Sequence, residues 1–256
     1  MNFWQSVLLG AVQGLTEFLP VSSSGHLLLV QDLIGVNVES NLLLSLLLHF
    51  GTLIAVCIVL FDYIIDTFKN PKRLLLWVVA SIPAGIVGFT LSDVIDQYLY
   101  NLDVLPFTFL ATAILLVVCE IVAKNTKENK QLSTKMALLM GLGQALAVLP
   151  GLSRSGTTVA FGVFAKGDKE EVAKFSFLMS IPVIFGSLLL EVVKFVANPT
   201  PSLGGTPWYN VAVAVIVAGL TGIVAINLLI KLIKTSNFKW FSVYLTALAV
   251  VLFIFK

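Results

Sequence analysis

Gln13 and Glu17 lie four residues apart in the stretch VQGLTEFLPVSSSGHLLLV, residues 12 to 30, so on a helix they stack on one face. A carboxylate and an amide oxygen placed that way suit a hard divalent cation such as Mg²⁺, which prefers oxygen ligands and often bridges to substrate phosphate. His26 follows as a candidate nucleophile or general acid and base, and Ser23 as a candidate nucleophile or phosphate donor. A second polar stretch, PGLSRSGTT at residues 150 to 158, contributes Arg154, a fixed cation whose planar fork matches phosphate oxygens. Half-helices starting after SSSG and SRSG would aim free N–H groups and positive dipole ends at their junction. Ser22, Ser24, Gly25, Ser153, Ser155, Gly156, Thr157 and Thr158 would then line an anion cradle, the glycines allowing close approach and the hydroxyls adding donors. Acid, base, cation and cradle together fit phosphoryl transfer, in which positioning and charge neutralisation carry most of the catalysis.

These polar groups sit in a very apolar chain. Of 256 residues, 58% are hydrophobic and only 12% charged, about half the charged share of an ordinary soluble domain. An all-α integral membrane protein follows, with apolar stretches near 41 to 61, 74 to 91, 104 to 123, 172 to 196, 208 to 230 and 240 to 255, each approaching the roughly 20 residues of a crossing. The net charge of +2 decides little, because the placement of Lys and Arg matters more than their sum. Cys57 and Cys119 both fall inside apolar segments and suggest no disulfide or metal framework. The first residues carry no Lys or Arg, so no cleavable signal peptide is expected.

Loop charges orient the crossings. Lys69, Lys72 and Arg73 follow the first, Lys124, Lys127, Lys130 and Lys135 the third, and Lys231, Lys234 and Lys239 separate the last two, which puts these connections in the cytoplasm. Residues 92 to 103 hold Asp93, Asp96 and Asp103 without a base, and 197 to 207 hold no charge, so both belong outside. Two apolar pieces remain, 3 to 34 and 136 to 165, each broken near its middle by Pro, Gly and Ser. A full crossing by either would contradict the loop charges. We therefore expect six transmembrane helices plus two re-entrant helical hairpins, the first dipping in from outside and the second from the cytoplasm, with both chain termini outside. Such backbone is tolerated at membrane depth only where protein or a water-filled cavity satisfies it, so the two tips should meet.

A shift of 131 residues places Gln13 on Gln144, Ser22 on Ser153, Ser24 on Ser155, Gly25 on Gly156 and Trp77 on Trp208; AGIVG at 84 to 88 echoes AGLTG at 218 to 222 at a shift of 134. The chain thus reads as one membrane domain, 1 to 256, made of halves of about 1 to 125 and 132 to 256. Three crossings per half force the second copy upside down, an inverted-topology repeat whose broken helices commonly build a binding site near the midplane.

QGLTEFLPVSSSGH and PGLSRSGTT resemble the two signatures of the undecaprenyl pyrophosphate phosphatases, the BacA or UppP family, and the likeness covers the chain in length and hydropathy. The resemblance implies hydrolysis of undecaprenyl diphosphate to the monophosphate, with release of phosphate on the outer side of a bacterial inner membrane. It implies a divalent cation, Mg²⁺ or Ca²⁺, a role in recycling the lipid carrier for peptidoglycan, and a link to bacitracin resistance. The family's acidic motif falls on Gln13 and Glu17, its serine and histidine on Ser23 and His26, and its second signature on Ser153, Arg154 and Thr158. Gln13 is within the family's pattern but removes one negative metal ligand. The expected partners are a polyprenyl diphosphate lipid and the bilayer, with no nucleic acid.

Other readings compete. The same inverted hairpins are the plan of secondary transporters, and the cradle could move a phosphate-bearing lipid or another anion. The type-2 phosphatidic acid phosphatases resemble this chain only in fragments, since no histidine follows His49. Residue by residue, Glu17 and Arg154 at membrane depth are costly and so point to function, whereas the serines cap helices as readily as they do chemistry. His49, on a crossing without a motif, reads as structural or at best as support behind the site. Glu120 with Lys124 and Glu191 with Lys194 read as snorkelling pairs at helix ends. Pro83, Pro106 and Pro182 are ordinary for membrane helices. Gly85, Gly88, Gly219 and Gly222 permit close helix contact within the fold or between two copies, so a homodimer is one expectation.

Overall fold

A computed structural model of the chain describes residues 1–36, 42–125, 131–197, 206–234 and 238–255. Lys127, Lys130 and most of the uncharged 197 to 207 connection lie outside the described residues, as do the side chains of Asp93, Asp96, Glu191 and Lys194. Among the described residues the chain is all helix: α1 (Phe3–Phe18), α2 (Ser23–Leu33), α3 (Leu42–Val59), α4 (Phe61–Lys69), α5 (Pro71–Tyr98), α6 (Leu105–Asn125), α7 (Thr134–Leu146), α8 (Arg154–Phe164), α9 (Lys169–Ala197), α10 (Trp208–Lys234) and α11 (Lys239–Phe255).

Local sequence explains the boundaries. Asn2 and Gln5 close a reciprocal capping box at the start of α1, and Asn70 with Pro71 starts α5. Pro83 and Pro182 sit inside α5 and α9. Four helices, α5, α6, α9 and α10, are long and apolar enough to cross a bilayer. The expected first crossing is α3, which turns through 73° at Leu60 into α4, and this bent pair makes a fifth candidate. The expected sixth, α11, is apolar but only 17 residues long. Large apolar side chains such as Phe89, Ile86 and Leu75 on α5 and Ile254 on α11 face outward, as they do when hydrocarbon rather than water surrounds a protein. The protein is a multi-pass membrane protein.

The two broken segments fold back on themselves. Gln5 Nε2 donates to the Ile34 carbonyl at 3.2 Å, so the start of α1 meets the end of α2. At the base of the second hairpin, Gly167 packs on the Met136 side chain, so α7 and α8 also return to one place. Helices α1 and α7 begin 131 residues apart, and so do α2 and α8. Gly10 of α1 lies against the Ala214 carbonyl of α10, and Gly141 of α7 against the Ala80 carbonyl of α5. A Cβ at either glycine would collide with backbone, so each hairpin is seated on its long helix by a missing side chain. Gly219 and Gly222 likewise pack inside the fold, against α3, while Gly85 and Gly88 face open space.

The core runs through three clusters. The largest joins α6, α7, α8, α9 and α11 around Phe109, Leu116, Met140 and Phe175; a second holds Phe18, Ala55, Phe177 and Ile226; the third holds Leu9, Leu27, Leu44 and Val211. Ser242 Oγ donates to the Ala113 carbonyl, joining α11 to α6. Glu120 pairs with Lys124 and also accepts the Lys239 N–H at 2.6 Å, so it caps α11 as well as snorkelling.

Candidate active site

Both hairpin turns are built by the same device. Ser22 caps α2 by accepting the Gly25 N–H at 3.3 Å, and Ser153 caps α8 by accepting the Gly156 N–H at 3.1 Å. In each turn the capping hydroxyl meets the serine two residues on, Ser24 or Ser155, at 3.3 Å. Ser22 adopts φ 74°, a left-handed conformation that turns the chain sharply after Pro20. The first-turn N–H groups of the two half-helices have no intrahelical acceptor.

The tips touch. Ser155 Oγ donates to the Leu19 carbonyl at 3.0 Å, and the Gly151 N–H reaches Ser24 Oγ at 3.4 Å. Gly25 rests on the Phe109 ring and Gly151, and Gly156 on Pro20. Gly151 takes φ 82°, with Thr108 filling the space a Cβ would need. The Ser153 N–H donates to Thr112 Oγ1 of α6, which fixes the second tip from behind.

Charge meets charge at this junction. The Arg154 guanidinium forms an ion pair with Glu17 Oε1 across the two tips, and Glu17 is almost fully buried. Glu17 Oε2 accepts from Ser23 Oγ at 2.6 Å and from Gln13 Nε2 at 3.1 Å, and His49 Nε2 stands 3.5 Å from it. An isolated carboxylate at membrane depth costs about 3 kcal/mol or more, so these donors are what keep Glu17 there. Arg154 Nη1 is buried and has no hydrogen-bond partner.

A cavity of about 1030 Å³ opens from this junction. Glu17, Ser22, Ser23, Ser24, Ser153 and Arg154 line its polar end, joined by His49 and Ser45 from α3. Leu28, Val36, Leu46, Val148, Val183 and Ile184 supply apolar wall. Asp32, Gln97 near the end of α5, and Tyr100 and Asn101 of the α5 to α6 connection also line it.

The remaining sequence candidates lie elsewhere. The His26 ring is absent from the cavity wall: Nδ1 bonds the Ser22 carbonyl at 2.7 Å and Nε2 the Tyr244 hydroxyl at 2.8 Å, with the ring against Phe109 and Tyr244. Thr157 and Thr158 turn their hydroxyls onto the Ser153 and Arg154 carbonyls, Thr158 also meeting Ser176, so both brace α8 from within. Gly25, Ser155 and Gly156 pack tip on tip. Gln13 touches the site through Glu17 alone. Sequence reasoning read His49 as structural or at best as support behind the site; the structure puts it on the cavity wall, 3.5 Å from Glu17 Oε2. The signal for that was an ionisable group on an apolar crossing, the argument applied to Glu17.

Among the described residues no group of three His, Cys, Asp or Glu side chains gathers to hold a metal. The donors present still fit a hard divalent cation. Gln13 Oε1 is buried beside Glu17 without a hydrogen-bond partner, and Mg²⁺ is commonly held by one or two carboxylates with substrate phosphate completing its shell.

Comparison with known proteins identifies the family. The sequence model of the bacitracin resistance protein BacA matches residues 6–251. The chain is 37% identical over 248 residues to a protein of Halothermothrix orenii named undecaprenyl-diphosphatase, covering 95% of this chain and 94% of the relative. Proteins of the same name from Carboxydothermus hydrogenoformans, 34% identical over 258 residues, and Parabacteroides distasonis, 37% over 254, are covered to 98% and 94% of their lengths, by 100% and 95% of this chain. A family match over nearly the whole sequence, with both signature stretches at one buried ion pair, means that the chain belongs to the BacA family.

Proposed function

We propose that this protein hydrolyses undecaprenyl diphosphate to undecaprenyl phosphate and inorganic phosphate, recycling the lipid carrier for cell-wall synthesis and conferring bacitracin resistance. The observation that carries the reading is the Glu17–Arg154 contact at the polar end of the cavity, where Arg154 Nη1 has no partner. A guanidinium with an unused donor beside two helix N-termini is a site for phosphate oxygens.

Ser23 is the nucleophile of this proposal, with Glu17 as its base. Ser23 Oγ already donates to Glu17 Oε2, so its proton passes there as oxygen bonds to the terminal phosphorus. The bond to the bridging oxygen breaks and undecaprenyl phosphate leaves. Water then bonds to the phosphorus as the bond to Ser23 Oγ breaks; Glu17 returns its proton to Ser23 Oγ, and the water's own protons leave on the released phosphate. Arg154 and the N–H groups of the two cradles stabilise charge on the transferred group, as preorganised dipoles do in a water-poor site. His26 contributes by holding the Ser22 turn from behind. Gln13 and Glu17 would hold a divalent cation, Mg²⁺ or Ca²⁺, which when bound neutralises phosphate charge.

The finer architecture belongs to the same proposal: six crossings with two re-entrant hairpins, in halves of about 1 to 125 and 132 to 256 related by inversion. Its supports are the shared capping device, the common 131-residue spacing of the hairpin helices, and the matched seating of Gly10 and Gly141. The cavity reaches the α5 to α6 connection, which loop charge assigns to the outside, so the site opens outward in a bacterial inner membrane with both termini on that face.

The decisive assay uses purified full-length protein in detergent with a long-chain isoprenyl diphosphate. Phosphate release by the wild type, lost in folded Glu17→Ala and Arg154→Ala variants, is expected. Lipid movement across vesicles without phosphate release would instead make the protein a transporter.

A further inference from the structure

His49 stands at the site with its ring nitrogens in different surroundings. Nδ1 lies 2.7 Å from the Ser45 carbonyl. A carbonyl can only accept, so Nδ1 carries the proton and, in the neutral ring, Nε2 holds a lone pair. Nε2 faces Glu17 Oε2 at 3.5 Å. That separation is too long for a charge-assisted hydrogen bond, which falls near 2.8 Å, and two bare acceptors facing each other repel. Two ligands of one ion, each about 2.1 Å from it, stand about 3 Å apart at right angles. Gln13 adds a third donor: its amide lies 3.1 Å from the same carboxylate oxygen, and its Oε1 is otherwise unpartnered. Half a turn of that amide sets Oε1 beside Glu17 Oε2, the same oxygen that His49 Nε2 faces.

We propose that His49 is a ligand of the divalent cation, completing with Gln13 and Glu17 a mixed nitrogen and oxygen site. The Nδ1 bond to Ser45 is the outer support that metal-binding histidines usually have, fixing ring and tautomer together. An imidazole ligand biases the site toward first-row ions of the Mn²⁺ kind and away from Ca²⁺, which takes oxygen alone. It also compensates for Gln13, an uncharged residue where a second carboxylate would have strengthened binding.

This inference rests on the metal-assisted phosphatase reading and is tested apart from it. Full-length protein in detergent is loaded with Mn²⁺ alone, and the bound ion is examined by pulsed electron spin resonance for imidazole nitrogen. The chain has only two histidines, so His26→Ala serves as the control. The expected result is one Mn²⁺ per chain with a nitrogen signal that survives His26→Ala and vanishes in His49→Ala, with affinity at least tenfold weaker in the latter. His49→Gln, closer in volume, gives the same loss of signal if the alanine variant does not fold. Bound Mn²⁺ without nitrogen, a signal that persists in the His49 variants, or no Mn²⁺ binding by the wild type overturns the assignment. Phosphate release on the same preparation separates the readings: release without a nitrogen signal rejects His49 alone, and a nitrogen signal without release rejects the phosphatase alone.

Discussion

Glu17 and Arg154, 137 residues apart in sequence, are joined as an ion pair where the two hairpin tips meet. Each is the other's main counter-charge in a buried place, so removing either leaves an uncompensated charge. Glu17→Gln and Arg154→Lys should each lower phosphate release by about 10²-fold or more, lysine failing because it lacks the planar fork. The double variant should be little worse than the singles, since both act as one unit. Losses that simply multiply would show that the pair does not work together. Thermal unfolding in detergent checks that the variants remain folded.

Excess chelator should abolish turnover, and added Mg²⁺ or Mn²⁺ should restore it. Gln13→Glu should tighten cation binding by adding a charged ligand beside Glu17. Undiminished turnover in chelator would remove the cation from the reaction.

Ser23, the proposed nucleophile, donates to Glu17 Oε2 at 2.6 Å, whereas Ser24 is turned toward Ser22 and Gly151. Ser23→Ala should therefore lose activity by about 10³-fold or more, and Ser24→Ala by less than about 10-fold. Rapid quenching of the wild type with substrate labelled in its terminal phosphate should place the label on Ser23. Full activity of Ser23→Ala would assign the attack to water.

His26 supports the Ser22 turn and bonds Tyr244 on α11. His26→Ala should lower thermal stability and activity together, while Ser23→Ala, which removes a hydroxyl and no charge, lowers activity alone. Tyr244→Phe removes one hydrogen bond, worth about 1 kcal/mol, and should leave phosphate release within about threefold of wild type. A His26→Ala variant as stable as wild type but inactive would return the ring to the chemistry.

Why some of this was legible and some was not follows from the range of each interaction. The hairpins are marked locally: Pro20 with Ser22 to Gly25, and Pro150 with Gly151 to Gly156, are turn and cap signals strong enough to interrupt an apolar helix. Glu17 and Arg154 stand out because charge at membrane depth needs a reason. The orientation of His26 is tertiary, set by a tyrosine 218 residues away, and no local pattern reports it. His49 gains its meaning from the approach of α3 to α1, a contact absent from its own neighbourhood in sequence. The break at Leu60 has neither proline nor glycine beside it, so a straight crossing running on to residue 61 was the natural expectation.

That break has a mechanical consequence. Beyond it, α4 carries Phe61, Ile65 and Phe68 exposed alongside Asp62, Asp66 and Lys69. A short helix with greasy and ionic sides, turned 73° from the one before it, has the composition of helices that lie flat where acyl chains give way to head groups. Tyr63 and Arg73 tie this float to Glu171 at the start of α9. In the proposed orientation this anchor lies at the cytoplasmic rim, where it would set the depth of the bundle and with it the height at which a lipid head group hangs to reach Arg154.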